Sequence, residues 1–292
     1  MALFEVATQS SSKTPSAAPL LEAGGYHARV ARVIDLGKQP GSAKYPEPGY
    51  KMRVTFELLH EYMKENAEDG TPIMVQDPDE DEGVQMHKNI EDKPRWFDFD
   101  FSYNADGFMG DNAHITKFMK AIDALEVKPN PTAVPPIEGH PAKPLNTILG
   151  EPLYVGIVTY TKTGGKNAGT VANKITTFSP MKSKEKREAK PLVNPTLFFN
   201  LGAPDVEVFN KLPGGDSPYA VKNIITSNLE FNGSLLQKAL GITPTGETAP
   251  VTNVASEAQV DAALAAELAA QKAAREAAAA NNAPAGDSAI PF

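Results

Sequence analysis

The chain of 292 residues contains no cysteine and a single tryptophan. Without cysteine there is no disulfide, no thiolate nucleophile and no cysteine-ligated zinc, which suits a reducing compartment. No apolar run approaches the ~18 residues that a membrane-spanning helix needs. Residues 1–19 lack the basic start and apolar stretch of a secretion signal, so the expected location is the cytoplasm. Histidines number five, and none stands in HxxxH or HExxH spacing. Residues 163–170 carry glycines and a lysine but not the GxxxxGK[ST] pattern of a phosphate loop. The stretch from Ser102 resembles a calcium loop, yet it lacks the leading Asp and has Ala113 where Glu is needed. No cofactor is expected, and the first expectation is a protein that is not an enzyme.

What is present is enough for a core. Hydrophobic residues make up 41% and charged residues 22%, which allows one or two domains. The 25 prolines and 22 glycines favour strands, turns and loops over a helical bundle. The net charge of −8 is unevenly spread. Residues 57–92 hold 12 acidic and 2 basic side chains, residues 247–292 hold 6 and 2, and residues 160–190 hold 8 basic and 2 acidic. A mildly basic body thus carries an acidic insertion and an acidic tail. Such a body attracts polyanions, although a lysine-rich run is more often a solvated loop.

Periodicity divides the chain. Residues 1–22, rich in Ser, Ala and Thr, read as a flexible arm. Alternation marks strands at 26–36, 50–58 and 95–103. In the second, Met52, Val54, Phe56 and Leu58 face one way and Lys51, Arg53, Thr55 and Glu57 the other; in the third, Phe97, Phe99, Phe101 and Tyr103 oppose Trp96, Asp98, Asp100 and Ser102. Residues 61–92, with five carboxylates between Asp77 and Glu82, read as a solvated excursion. Ile115, Phe118, Met119, Ile122 and Leu125 have helical spacing, so a helix is expected over 111–127, followed by a proline-rich loop at 130–144. Two more strands, 153–161 and 170–178, flank a glycine-bearing loop. Strand, strand, strand, helix, strand, strand is the order of a mainly β, five-stranded OB-type barrel with its helix between strands three and four. That assigns 23–180 to one domain with the insertion at 61–92. Residues 181–243 form an appended subdomain containing a helix at 218–226, and 244–292 an Ala-rich acidic tail.

Unpaired nucleic acid is held by cations beside aromatic faces on which bases stack. In an OB barrel the groove crosses strands two and three between the loops that join strands one to two and four to five. The candidates so placed are Lys38, Lys44, Tyr50, Lys51, Arg53, Arg95, Trp96, Tyr160, Lys162, Lys166 and Lys174. Asp98 and Asp100 share Trp96's face and repel phosphate there. They also suggest the alternative of a metal-dependent nuclease.

The last residues, Asp287 followed by Ile290, Pro291 and Phe292, resemble the tail tip of bacterial single-stranded DNA-binding proteins, which carries more Asp residues. The body resembles a phage-encoded group of single-stranded DNA-binding proteins with an OB fold, through residues 25–37, 50–57, 148–158, 171–180 and 208–213. The acidic insertion is longer than that group's. The resemblance implies a sequence-tolerant coat for single-stranded DNA in phage replication or recombination. It also implies a tail in which Asp287, Ile290, Pro291 and Phe292 dock partner proteins.

Overall fold

A computed structural model of the chain describes residues 16–42, 45–104, 110, 112–129, 137–163 and 167–243. The fold is mainly β. After a two-residue strand β1 (Ser16–Ala17), β2 (Gly24–Gln39) and β3 (Gly49–Glu65) form a long antiparallel pair. A short hairpin, β4 (Met74–Gln76) with β5 (Gln85–His87), leads into β6 (Asn89–Tyr103), which pairs with β3. Helix α1 (His114–Ala121) and a second hairpin, β7 (Leu125–Pro129) with β8 (Ile137–Pro141), precede β9 (Pro152–Thr161) and β10 (Val171–Ser179). β9 pairs with both β2 and β10, so the long strands lie in the order β10–β9–β2–β3–β6.

The inner face of this sheet is built by alternation. Val30 pairs with Phe56, Val33 with Val54 and Asp35 with Met52. Paired residues share a face, so the apolar members stack into one core with Leu153, Val155 and Ile157. α1 lays Ile115, Phe118 and Met119 on that core. It ends at Ala121 and not at 127. Asp123 takes the left-handed conformation (φ 54°), which breaks helical geometry, and Leu125–Pro129 is drawn into the β7–β8 ladder. The proline-rich loop expected at 130–144 therefore includes a strand.

The expected barrel is not closed. Among the described residues no ladder joins β6 to β10. The gap is filled by rings: Phe178 of β10 lies 5.2 Å from Phe99 and from Phe101 of β6, and 5.6 Å from Phe118 of α1. Each such pair contributes roughly 0.5–1.5 kcal/mol beyond burial, comparable with the net ~0.5–1.5 kcal/mol of a backbone hydrogen bond. At one end the gap is also strapped. Arg95 of β6 donates to the Pro19 carbonyl, and the Asn173 amide of β10 bonds both N and O of Leu21. The expected flexible arm thus has an anchored end at 16–22, because Leu21 gains burial and its backbone gains partners; residues 1–15 lie outside the described residues.

Two further boundaries differ from the periodicity. β3 continues to Glu65 and β6 begins at Asn89, so the acidic excursion narrows to the β4–β5 hairpin and its turns. Beyond β10 come α2 (Ser183–Glu188), β11 (Leu197–Phe199), α3 (Val206–Lys211), α4 (Val221–Thr226) and α5 (Leu235–Ala239). β11 runs parallel to residues 32–34 of β2, beyond the stretch of β2 that β9 pairs with. A second core forms there from Ile34, Leu36, Phe199, Phe209, Ile225 and Leu236. β2 therefore feeds both cores. Its register shifts at Val30/Arg32 and Asp35/Gly37 swap which residues face which way.

The chain divides into two units. Met1–Gln39 with Gly49–Pro244 holds every element named above. In the other, Pro40–Pro48 with Thr245–Phe292, Ser42 and Tyr45 exchange backbone hydrogen bonds of 2.7 and 3.1 Å. No helix among the described residues is long and apolar enough to cross a membrane.

Candidate nucleic-acid interface

The outer face of β2, β3 and β6 carries the polar partners of the core residues. Register places Arg29, Glu57 and Trp96 in one row, then Arg32, Thr55 and Asp98, then Ile34, Arg53 and Asp100, then Gly37, Lys51 and Ser102. The rows differ in how fully their groups are already used.

The first row is sealed. Glu57 is 1% exposed, and its carboxylate accepts from Trp96 Nε1 (2.9 Å), the Val193 backbone N–H (2.7 Å) and Asn194 Nδ2 (2.9 Å). Arg29 donates to the carbonyls of Gly150, Ala189 and Lys190. The Arg32 guanidinium lies 4.1 Å over the Trp96 ring. Burial lowers the pKa of both Arg29 and Arg32. Trp96 was a stacking candidate, but one of its faces and its N–H are taken. Arg95 is 9% exposed, lies 5.4 Å over Phe97 and holds the strap, with its pKa lowered by burial. The structure gives it a packing role.

In the third row Arg53 grips Asp100 with two hydrogen bonds of 2.6 and 2.8 Å, and this bond leads the effects that raise the pKa of Arg53. Asp98 accepts from the Thr55 hydroxyl at 2.6 Å. Both oxygens of Asp100 are therefore engaged. Among the described residues no group of three or more His, Asp or Glu is arranged to hold a metal.

The open part is the Gln39/Gly49 end of the β2–β3 pair. Lys38 stands opposite Tyr50, its Nζ 5.8 Å from that ring and 3.7 Å from Glu230. The Tyr50 hydroxyl donates to Glu230 (2.8 Å), which raises the phenol's pKa. Lys51, next along β3, has no ion pair among the described residues. Tyr50 is stacked obliquely on Tyr103 at 5.7 Å. Alternation puts Lys38 and Tyr50 on one face of the pair and Lys51 and Arg53 on the other, so these four candidates share one end of the sheet as two back-to-back pairs.

A second group forms on β9–β10. The Lys174 ammonium lies 4.8 Å over the Tyr160 ring, and Lys162 exchanges backbone hydrogen bonds with Thr170 and Gly169 across the hairpin loop. β9 pairs with β2 from Arg29 back to Gly24, so these residues flank the opposite end of β2 from Lys38. The two groups are not neighbours along the sheet. Lys44, Lys166, Asp287, Ile290, Pro291 and Phe292 lie outside the described residues.

The sequence reading missed a cleft beside Lys38. Two adjoining cavities of about 380 and 280 Å³ share Asp35 and Tyr103. Among the described residues Asp35 Oδ1 accepts from the Gly37 N–H (2.9 Å) and the Tyr103 hydroxyl (3.2 Å), while Oδ2 receives one long 3.4 Å contact from the Leu201 N–H. Burial, and then Asp35, raises the Tyr103 pKa strongly. The available signal was an acid between Ile34 and Leu36 in an apolar strand, just before a glycine. Gly37 has φ 72°, as the bulge after Asp35 requires, and a Cβ there would lie 2.8 Å from Asn228.

Compared with known proteins, the chain matches no family model, no curated protein and no solved structure.

Proposed function

We propose that the protein binds single-stranded DNA without catalysing a reaction, on an OB-type barrel left open between β6 and β10. The observation that carries this reading is the path β10–β9–β2–β3–β6 with α1 between the third and fourth long strands, the order of a Greek-key OB barrel. The cation–aromatic groups at either end of β2 add the chemistry: Lys38, Lys51 and Lys174 for phosphates, Tyr50 and Tyr160 for base faces. Lys44, Lys162 and Lys166 belong to the same reading through their places on the flanking loops. The acidic tail recruits partner proteins through Asp287, Ile290, Pro291 and Phe292, with the Phe292 ring suited to an apolar pocket. A role in phage replication or recombination rests on the resemblance of the sequence.

The test is a fluorescence titration with single and double strands of one sequence at several salt concentrations. Single strands are expected to bind more tightly, with log affinity falling by roughly 0.7 per phosphate contact for each tenfold rise in salt. Equal affinity for both forms, or no binding of either, rejects the proposal. Removing Phe292 is expected to abolish partner capture while DNA binding persists.

A further inference from the structure

The cleft between the Gln39/Gly49 end of the sheet and the α4–α5 segment has an unusual balance of groups. Tyr103 spends its hydroxyl proton on Asp35 and Tyr50 spends its own on Glu230. Both phenols therefore present lone pairs, not donors. Among the described residues Asp35 Oδ2 has one long contact and Glu230 Oε2 has no hydrogen bond. Lys38 is already beside Glu230 Oε1. A carboxylate accepts at about four positions, so each acid retains capacity. Both carboxylates border the smaller cavity.

The rest of the lining mixes apolar side chains with Asn146, Asn200, Asn228 and Ser234. Val33, Met52, Leu145 and Phe198 join the Tyr103 ring around the larger cavity, and the Tyr50 ring borders the smaller one. Asp35, Glu230, Tyr50 and Tyr103 all line the smaller cavity, about 280 Å³, which shares Asp35 and Tyr103 with the larger one of about 380 Å³; together they reach the size of small-molecule sites. The two carboxylates disfavour phosphate and favour a planar body with an N–H₂ group at its rim. Single strands supply such a body when a base is splayed out onto aromatic side chains. Cytosine, adenine and guanine carry an exocyclic amino group; thymine and uracil carry a carbonyl oxygen there, which would face Asp35 and Glu230 unpaired.

We propose that this cleft is a base pocket that selects amino-bearing nucleobases, the amino group donating to Asp35 Oδ2 and the Glu230 carboxylate while the ring packs against Tyr50 and Tyr103. The pocket rests on the single-strand reading above and adds a preference to it.

The closest chemical pair for a test is a deoxycytidine strand against a deoxyuridine strand of equal length, whose bases differ in that amino group and the N3 proton. Both are titrated into the full-length protein at one salt concentration. The cytosine strand is expected to bind about tenfold more tightly, the size of one well-made base contact. Asp35→Asn offers an amide in place of one acceptor, and Glu230→Gln does so at the other wall. In each variant the ratio between the two strands is expected to fall towards one. Thermal melting checks that each variant folds, and the exposed Glu230 provides a second route if Asp35→Asn does not.

A ratio of one in the wild type overturns the pocket while leaving single-strand binding intact. A ratio that survives both substitutions also overturns it. Competition by spermidine or free arginine with no difference between strands assigns the cleft to alkyl cations and overturns it. Failure of both strands to bind rejects single-strand binding itself, and the pocket with it.

Discussion

Glu57 and Asp35 are two carboxylates on one sheet with opposite fates. Glu57 is closed in by three donors from Trp96 and the 193–194 segment, at 1% exposure. Asp35 is held by a neighbouring N–H and a phenol, and borders two cavities. The difference arises from what crosses the sheet. The chain after α2 passes over the Glu57 row and fastens there, whereas at the Asp35 end it runs alongside and reaches the carboxylate only through the long Leu201 contact. A buried acid closed in by three short hydrogen bonds fixes a fold. One with an acceptor to spare is available to a ligand.

The largest test of that contrast is Glu57→Ala. It leaves three donors without their acceptor and is expected to cost about 3–5 kcal/mol of stability, read by urea unfolding. A cost under ~1 kcal/mol would show that the outer segment does not need its clip. Trp96→Phe removes one donor and weakens the Arg32 contact. It is expected to cost about 1–2 kcal/mol and to leave single-strand affinity within error; a large loss of affinity would return Trp96 to the binding surface. At the open end, Lys51→Glu is expected to weaken single-strand binding by about 1 kcal/mol at low salt with an unchanged urea midpoint. The smallest effect concerns His60, which lies 5.3 Å from His27. Partial burial, then Lys190 and His27, holds its pKa below the ordinary histidine value. The unfolded chain therefore takes up the proton first as pH falls, and stability present above about pH 6.5 declines below it. His60→Asn is expected to flatten the slope of urea midpoint against pH between about 7.5 and 5; an unchanged slope would assign the loss to other groups.

The sheet was legible because its faces alternate. Met52, Val54 and Phe56 against Lys51, Arg53 and Thr55 announce a half-buried strand, and the register shows each row as read. What the pattern does not contain is long-range pairing. Nothing in Pro19 or Leu21 signals Arg95 and Asn173 as partners, and so the strap looked like an arm. Arg53 reads as a phosphate ligand until Asp100 is found across the ladder. Leu125 fits a helical stripe, but Asp123 had already turned the chain, and a hairpin partner beyond the prolines decided the outcome. Ile34 and Leu36 lie on the two sides of Asp35, and a period-two reading assigns them together to one face. The bulge at Asp35/Gly37 and the second core show why that face is not the first core's.

The Pro19–Leu21 strap has a consequence for the timing of assembly. Its contacts reach residues 76 and 152 positions further along the chain. A ribosome delivers the strap first, yet it has nothing to grip until both β6 and β10 have emerged. Closing so wide a loop costs entropy that local turns do not. The strap therefore works as a latch fastened late, and a protein fused upstream of Ser16 would burden that final step more than the curling of the sheet.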